Sequence, residues 1–152
     1  MDEIERLSTI EELRRLMARY VYNADHQRWD ELAALFTPEG TFTPHNGDGT
    51  VVRHMRGRQE IASSIPASVG PEAVLVHHLF SDEIDIESAV SARGVWAMED
   101  LIKRPARTDD NGNAQFTEMH GFGHYRARFT RADGEWKIAE LVLTRLRMDL
   151  TY

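Results

Sequence analysis

The chain has 152 residues, 41% of them hydrophobic and 28% charged, with a net charge of −7. That length and balance fit a single folded domain over residues 1–152 and argue against disorder. The acidic balance argues against nucleic acid or an anionic membrane as partner. The absence of cysteine removes disulfides, thiolate metal sites and a Cys nucleophile.

The opening stretch MDEIERLSTIEE is acidic and lacks the apolar core of a signal peptide. No run reaches the roughly 18 apolar residues of a membrane span. A cytoplasmic location is therefore the expectation. Thr9 and Glu12 have the spacing of a capping box, and Leu13, Leu16, Met17, Tyr20, Val21 and Ala24 recur at helical spacing. They predict a helix over about 10–24, after a short helical turn at 2–7. A second helix is predicted from Trp29 through Leu32, Leu35 and Phe36, stopped by Thr37-Pro38-Glu39-Gly40.

Short strands are expected at 41–43 and 51–55, separated by the turn PHNGDGT at 44–50. A third helix is expected over 57–65, with Pro66 and Pro71 bracketing a loop. Beyond it, residues 74–86, 90–103, 116–130 and 135–149 are rich in β-branched and aromatic residues, with turns at DDNGN (109–113) and ADG (132–134). Helices followed by a long antiparallel meander define an α+β domain. A strongly curved sheet with the N-terminal helices on its concave face would enclose a conical pocket, the kind of place small molecules bind.

The segment VHHLF, residues 76–80, sets two histidines side by side on a strand, so their side chains leave on opposite faces. The even positions Val74, Val76, His78, Phe80, Ile84 and Ile86 form an apolar series, whereas Ser81, Glu83, Asp85 and Glu87 are polar. Parity alone puts His78 inside. A β-bulge near 79–82 would reverse that choice, and cover on both faces of the strand is a further alternative. Tyr20, on the inner face of the first helix, and Tyr125, on the apolar parity of its strand, can each line the pocket as oxyanion donors or pack as ordinary core. Trp96 and Met98 share a strand face and serve either as substrate-binding pocket wall or as core. His120 and His124 fall on the opposite parity with Arg126 and Arg128, at surface or interface positions.

No metal site is expected. His120 and His124 lie about 13 Å apart along a strand, and His45 and His54 fall on loop or edge segments. Trp29 and Trp136 are expected in the core.

RYVYNADHQRWDELAALFTPEGTF, GRQEI, VHHLFSDEIDI and GHYRARFTRADGEWKIAEL occur in this order and together span most of the chain. They resemble the SnoaL-like branch of the nuclear-transport-factor-2-like superfamily. The resemblance implies an α+β cone, a homo-oligomer (dimer or trimer) and chemistry without a cofactor. It also implies a catalytic Asp–His pair of the scytalone dehydratase and dehydrochlorinase type, and the matching positions are Asp25 and His77. Similarity to ketosteroid isomerases matches Tyr20 to an oxyanion-binding tyrosine. The position matching that family's base is Pro44, which departs from the pattern.

Dehydrochlorinase-like members carry an arginine shortly after the WK step. Here that stretch reads Ala139-Glu140-Leu141 and the nearest arginine is Arg145, which argues against a chloride-specialised site. The implied function is a cofactor-independent lyase or isomerase of the dehydratase type, acting on a small hydrophobic or polycyclic molecule. His78, Tyr125, Trp96 and Met98 join Tyr20 as candidate substrate-binding residues. A non-catalytic small-molecule-binding or assembly module of the same fold is the alternative.

Overall fold

The computed structural model describes all of residues 1–152. One long helix, α1 (Glu3–Asp25), replaces the expected turn plus helix. The cap is not Thr9 but Asp2, whose side chain accepts from the Glu5 backbone while the Glu5 carboxylate accepts from the Asp2 backbone. Thr9 is buried instead. Leu13, Leu16, Met17, Tyr20 and Ala24 form the buried stripe that seats α1 on the sheet.

The second helix, α2 (Trp29–Ala33), is shorter than its periodicity suggested. Phe36 opens strand β1 (Phe36–Pro44), and the TPEG segment expected to be a stop is part of that strand. Its pairing register breaks between Phe36 and Thr41, around Pro38, which lacks a ladder donor. The strand expected at 51–55 reduces to β2 (Met55–Arg56) and an isolated bridge between His45 and Val51. Helix α3 (Arg58–Val69) runs through Pro66 rather than stopping there, and ends at Gly70, which takes a positive φ of 88°.

The four long strands are β3 (Val74–Ile86), β4 (Ser91–Lys103), β5 (Glu118–Ala132) and β6 (Glu135–Thr151). They form a six-stranded sheet in the order β2-β1-β6-β5-β4-β3, antiparallel except for the β1–β6 pair. The N-terminal helices cover its concave face. No helix is long and apolar enough to cross a membrane.

Three side-chain links hold α1 antiparallel along β3. Arg14 donates two hydrogen bonds of 3.0 Å to Asp82. Asp25 meets His77. Gln27, just past the helix in the left-handed region (φ 55°), donates to the Ala73 carbonyl at 2.7 Å. Together they fix the height at which the last residue of α1 stands against β3.

The core fills one end of the cone with Phe36, Trp96, Met98, Ala127, Phe129, Ile138 and Leu141. Trp96 and Met98 are therefore core residues and do not line the cavity, contrary to their candidate role as pocket wall.

Candidate active site

The opposite end of the cone is open. A cavity of about 270 Å³ lies between α1, α3 and the C-terminal half of the sheet, and 17 of its 25 lining residues are hydrophobic. Tyr20, His77, Tyr125, Asp100 and Arg145 are among the polar groups of this mainly apolar wall, together with Arg104, His45, Asn46 and Ser68. Such a wall selects apolar ligands and lets a few polar groups set orientation. Trp29, expected in the core, lines this cavity, whereas Trp136 is buried in the core as expected.

The two histidines of VHHLF part company as their alternation demands, and the bulge decides which goes in. The β3–β4 register shifts between Leu79 and Asp82, so Phe80 and Ser81 take up the slack. Before the bulge the odd residues Leu75, His77 and Leu79 face inward; after it Asp82, Ile84 and Ile86 do. His78 therefore points to the outer face, with its side chain 54% exposed, and does not line the cavity. This corrects its candidate role in substrate binding. It meets Glu99 at 2.8 Å, and His120 meets the other oxygen of the same carboxylate at 2.9 Å. Hydrogen bonds from His120 and then His78 hold the Glu99 carboxyl below the usual carboxylate range.

Inside, His77 Nδ1 lies 2.6 Å from Asp25 Oδ1. The His77 side chain is 12% exposed and that of Asp25 26%. An ionised carboxylate only accepts, so the imidazole donates from Nδ1 and keeps the lone pair of Nε2 free. That is the arrangement of an oriented general base.

Tyr20 and Tyr125 are both buried and meet edge to face, with ring centroids 5.6 Å apart. Burial, then the charge of Asp100, pushes the Tyr20 phenol well above its usual value, and the Tyr125 hydroxyl offsets this in part. Burial also pushes Tyr125 up, reinforced by Tyr20 and Asp100 and opposed by Arg145. Both remain neutral hydrogen-bond donors. The folded state thus holds protons that unfolded tyrosines release above about pH 10, so this contribution is complete below that pH and is lost as pH rises further. In a spectrophotometric titration, Tyr20 and Tyr125 are expected to ionise only as the circular dichroism signal of the fold disappears. Phenolate absorbance from all four tyrosines of the chain with the fold intact would contradict this.

Two residues to which the sequence reading gave no place in the site complete it: Asp100, and Arg145, which was noted only as the nearest arginine after the WK step. Asp100 is the register partner of His77 on β4, so the two stand side by side on the inner face. Arg145 of β6 reaches across Gly121 and grips Asp100 with both terminal nitrogens, Nη2 to Oδ2 at 2.9 Å. The side chains are 4% and 5% exposed. A Cβ at Gly121 would collide with Arg145 Nη1 and Asp100 Oδ1, so only glycine leaves room for the pair. A bulge in β6 at Leu146, opposite Phe122 and Gly123, moves the inward parity from Leu143 and Arg145 to Met148 and Leu150. The sequence signal for both residues was present: each is a charge on the apolar parity of its strand, after Trp96-x-Met98 and Leu141-x-Leu143.

A helix-covered α+β sheet with an apolar cavity holding an Asp–His pair is a cone of the nuclear-transport-factor-2-like kind. Within that class, residues 5–142 match the SnoaL-like domain, and the chain belongs to the SnoaL-like family. Solved structures share this fold at low identity. One is a protein provisionally assigned as a scytalone dehydratase from Novosphingobium aromaticivorans, 18% identical over 97% of this chain and 90% of that one, with a TM-score of 0.78. Another is a hexachlorocyclohexane dehydrochlorinase from Novosphingobium barchaimii, 17% identical over 98% and 94%, with a TM-score of 0.77. A protein of unknown function from Mycobacterium tuberculosis is 23% identical over 95% and 76%, with a TM-score of 0.69.

Proposed function

We propose that this protein is a cofactor-independent lyase or isomerase of the dehydratase type, acting on a small hydrophobic molecule in the apolar cavity. The observation that carries the reading is the 2.6 Å bond between His77 Nδ1 and Asp25 at the cavity wall. Membership of the SnoaL-like family and the likeness to a provisional scytalone dehydratase and a dehydrochlorinase support it.

In this scheme His77 Nε2 takes a proton from carbon next to a carbonyl. The electron pair of the C–H bond moves toward the carbonyl, and the oxygen that gains charge is met by the Tyr20 or Tyr125 phenol. Asp25 stabilises the imidazolium through Nδ1. In an isomerisation His77 returns the proton to another carbon. In a dehydration the electron pair closes a C=C bond, the C–O bond breaks, and the departing hydroxyl leaves as water with the proton from His77. Either course needs a base, a donor and a dry pocket, which the cavity residues supply.

A direct test is exchange of α-protons in deuterated buffer across a panel of apolar ketones, followed by proton NMR. Wild-type protein should wash deuterium into at least one of them faster than the buffer does, and His77→Ala should not. A non-catalytic binding module would give buffer-level exchange with every member of the panel.

A further inference from the structure

A second cleft, of about 370 Å³, lies between the end of α3 and the segment that leaves β4, and it shares only Val69 and Arg104 with the apolar cavity. Two guanidinium groups border it, and no carboxylate pairs with either. Arg104, 8% exposed, donates from Nε to the Phe116 carbonyl and from Nη1 to the Ser68 carbonyl, each at 2.9 Å. It thereby caps α3 at its negative pole, but Nη2 is left without a protein acceptor. Arg107 lies against Gly70: a Cβ at that glycine would stand 2.9 Å from Arg107 Nη1. Arg107 is half-buried, and its guanidinium bonds no carbonyl and no carboxylate. Burial, and after it the charge of Arg107, hold the Arg104 guanidinium below its usual value. Glu72 is the one carboxylate on the cleft wall; it is exposed and pairs with neither arginine. The backbone N–H groups of Ala106 and Arg107 also meet no backbone acceptor.

The geometry points to this cleft as a phosphate-binding site, in which a phosphate dianion, free or as a monoester, bridges Arg104 and Arg107. This goes beyond the proposed reaction and does not depend on it. Two guanidiniums held side by side repel, and burial of one removes water that would screen them. Capping of α3 accounts for Arg104 but not for Arg107, which reaches none of its carbonyls. An anion between the two removes the repulsion. A guanidinium fork matches phosphate oxygens with parallel N–H bonds. A tetrahedral dianion has oxygens for both forks and charge for both cations, whereas a carboxylate has two oxygens and one charge. The other arginine cluster, at the start of α3, is already answered. Arg58 donates twice to the Phe36 carbonyl, and Glu60 and Glu39 face Arg53 and Arg56.

The experiment is a titration followed by amide NMR, at mildly alkaline pH where phosphates are mainly dianions. The probes are inorganic phosphate, phenyl phosphate and acetate. Both phosphates are expected to give saturable shifts at Gly70, Glu72, Ala106 and Arg107, and to bind more tightly than acetate by roughly tenfold or more. Arg107→Ala is expected to weaken phosphate by roughly tenfold or more, the worth of charge-assisted bonds from one fork. Arg107→Lys keeps the charge without the fork and should fall between. Tighter binding of phenyl phosphate identifies a monoester as the ligand, and equal affinity identifies free phosphate. Shifts that do not saturate, that centre on the cavity or on Arg53 and Arg56, or that are unchanged in Arg107→Ala overturn the inference. Acetate bound as tightly as phosphate overturns it too. The wild-type map and the acetate comparison decide the matter alone if the variants do not fold. Nothing here is read from turnover, so the catalytic reading stands or falls separately.

Discussion

His77→Ala is expected to lower turnover by roughly 10²–10⁴, the span that a positioned general base contributes, while the protein stays folded. The fold should tolerate the change because little depends on the ring beyond its bond to Asp25. The Asp25 side chain is 26% exposed and can be rehydrated once the imidazole is gone. Arg14 and Gln27 still tie α1 to β3 on either side of the gap. Asp25→Asn should damage catalysis through a different route. An amide can donate to Nδ1, which favours the tautomer with the proton on Nε2 and takes the lone pair away from the cavity. The expected loss again lies in the range of roughly 10²-fold or more, because the base is present but wrongly protonated. His78→Ala is the control. That ring faces outward to Glu99 and should leave turnover at the wild-type level. The measurement is kcat on whichever ketone exchanges fastest, with circular dichroism to confirm the fold. Wild-type turnover in His77→Ala and Asp25→Asn would remove both residues from the mechanism.

Much of this architecture was legible in the chain because it rests on periodicity. Alternation and turn residues located the four long strands, and the i, i+3, i+4 stripe located the inner face of α1. Errors arose where a neighbour, not the local pattern, decides the outcome. Phe36 reads as the end of a helix by spacing, yet its backbone joins Ile138 of β6 in the sheet. His78 reads as inward by parity, yet the register against β4 sets Phe80 and Ser81 together opposite one residue, and that single extra residue switches the parity and leaves His78 outside. Trp96 and Met98 were placed on the correct face, but their face has two zones. Toward Ala92 it belongs to the buried core, and toward Asp100 and Ile102 it borders the cavity. Asp25 and His77 were legible only through the family resemblance, since nothing local joins a helix end to a strand 52 residues on. Asp100 and Arg145 were least legible. A charge on an apolar parity announces burial only to a reader who knows its partner, and here the partner is two strands away across a glycine.

That buried pair also makes the largest stability prediction. Arg145→Met removes the cation and leaves Asp100, 4% exposed, with no counter-charge. Breaking a buried pair from one side costs about 3–5 kcal/mol. For a chain of this size each kcal/mol lowers Tm by roughly 2–4 °C, so a fall of about 10 °C is expected. The loss belongs to the orphaned carboxylate more than to the missing bond, and a second substitution separates the two. Arg145→Met combined with Asp100→Leu removes both charges and should recover most of the stability, since apolar replacements of a buried pair are often neutral or better. Gly121→Ala attacks the same pair by another route, because its methyl group would occupy the space of Arg145 Nη1 and Asp100 Oδ1. In wild-type protein it should be strongly destabilising. In the Arg145→Met background part of that cost should vanish, because the guanidinium it strikes is no longer there, and the two effects should fall short of additivity. Urea unfolding of the wild type and the four variants measures all of this, with unchanged m-values marking a true stability difference. An Arg145→Met protein as stable as wild type, or full additivity with Gly121→Ala, would mean that the pair does not hold this end of the cone together.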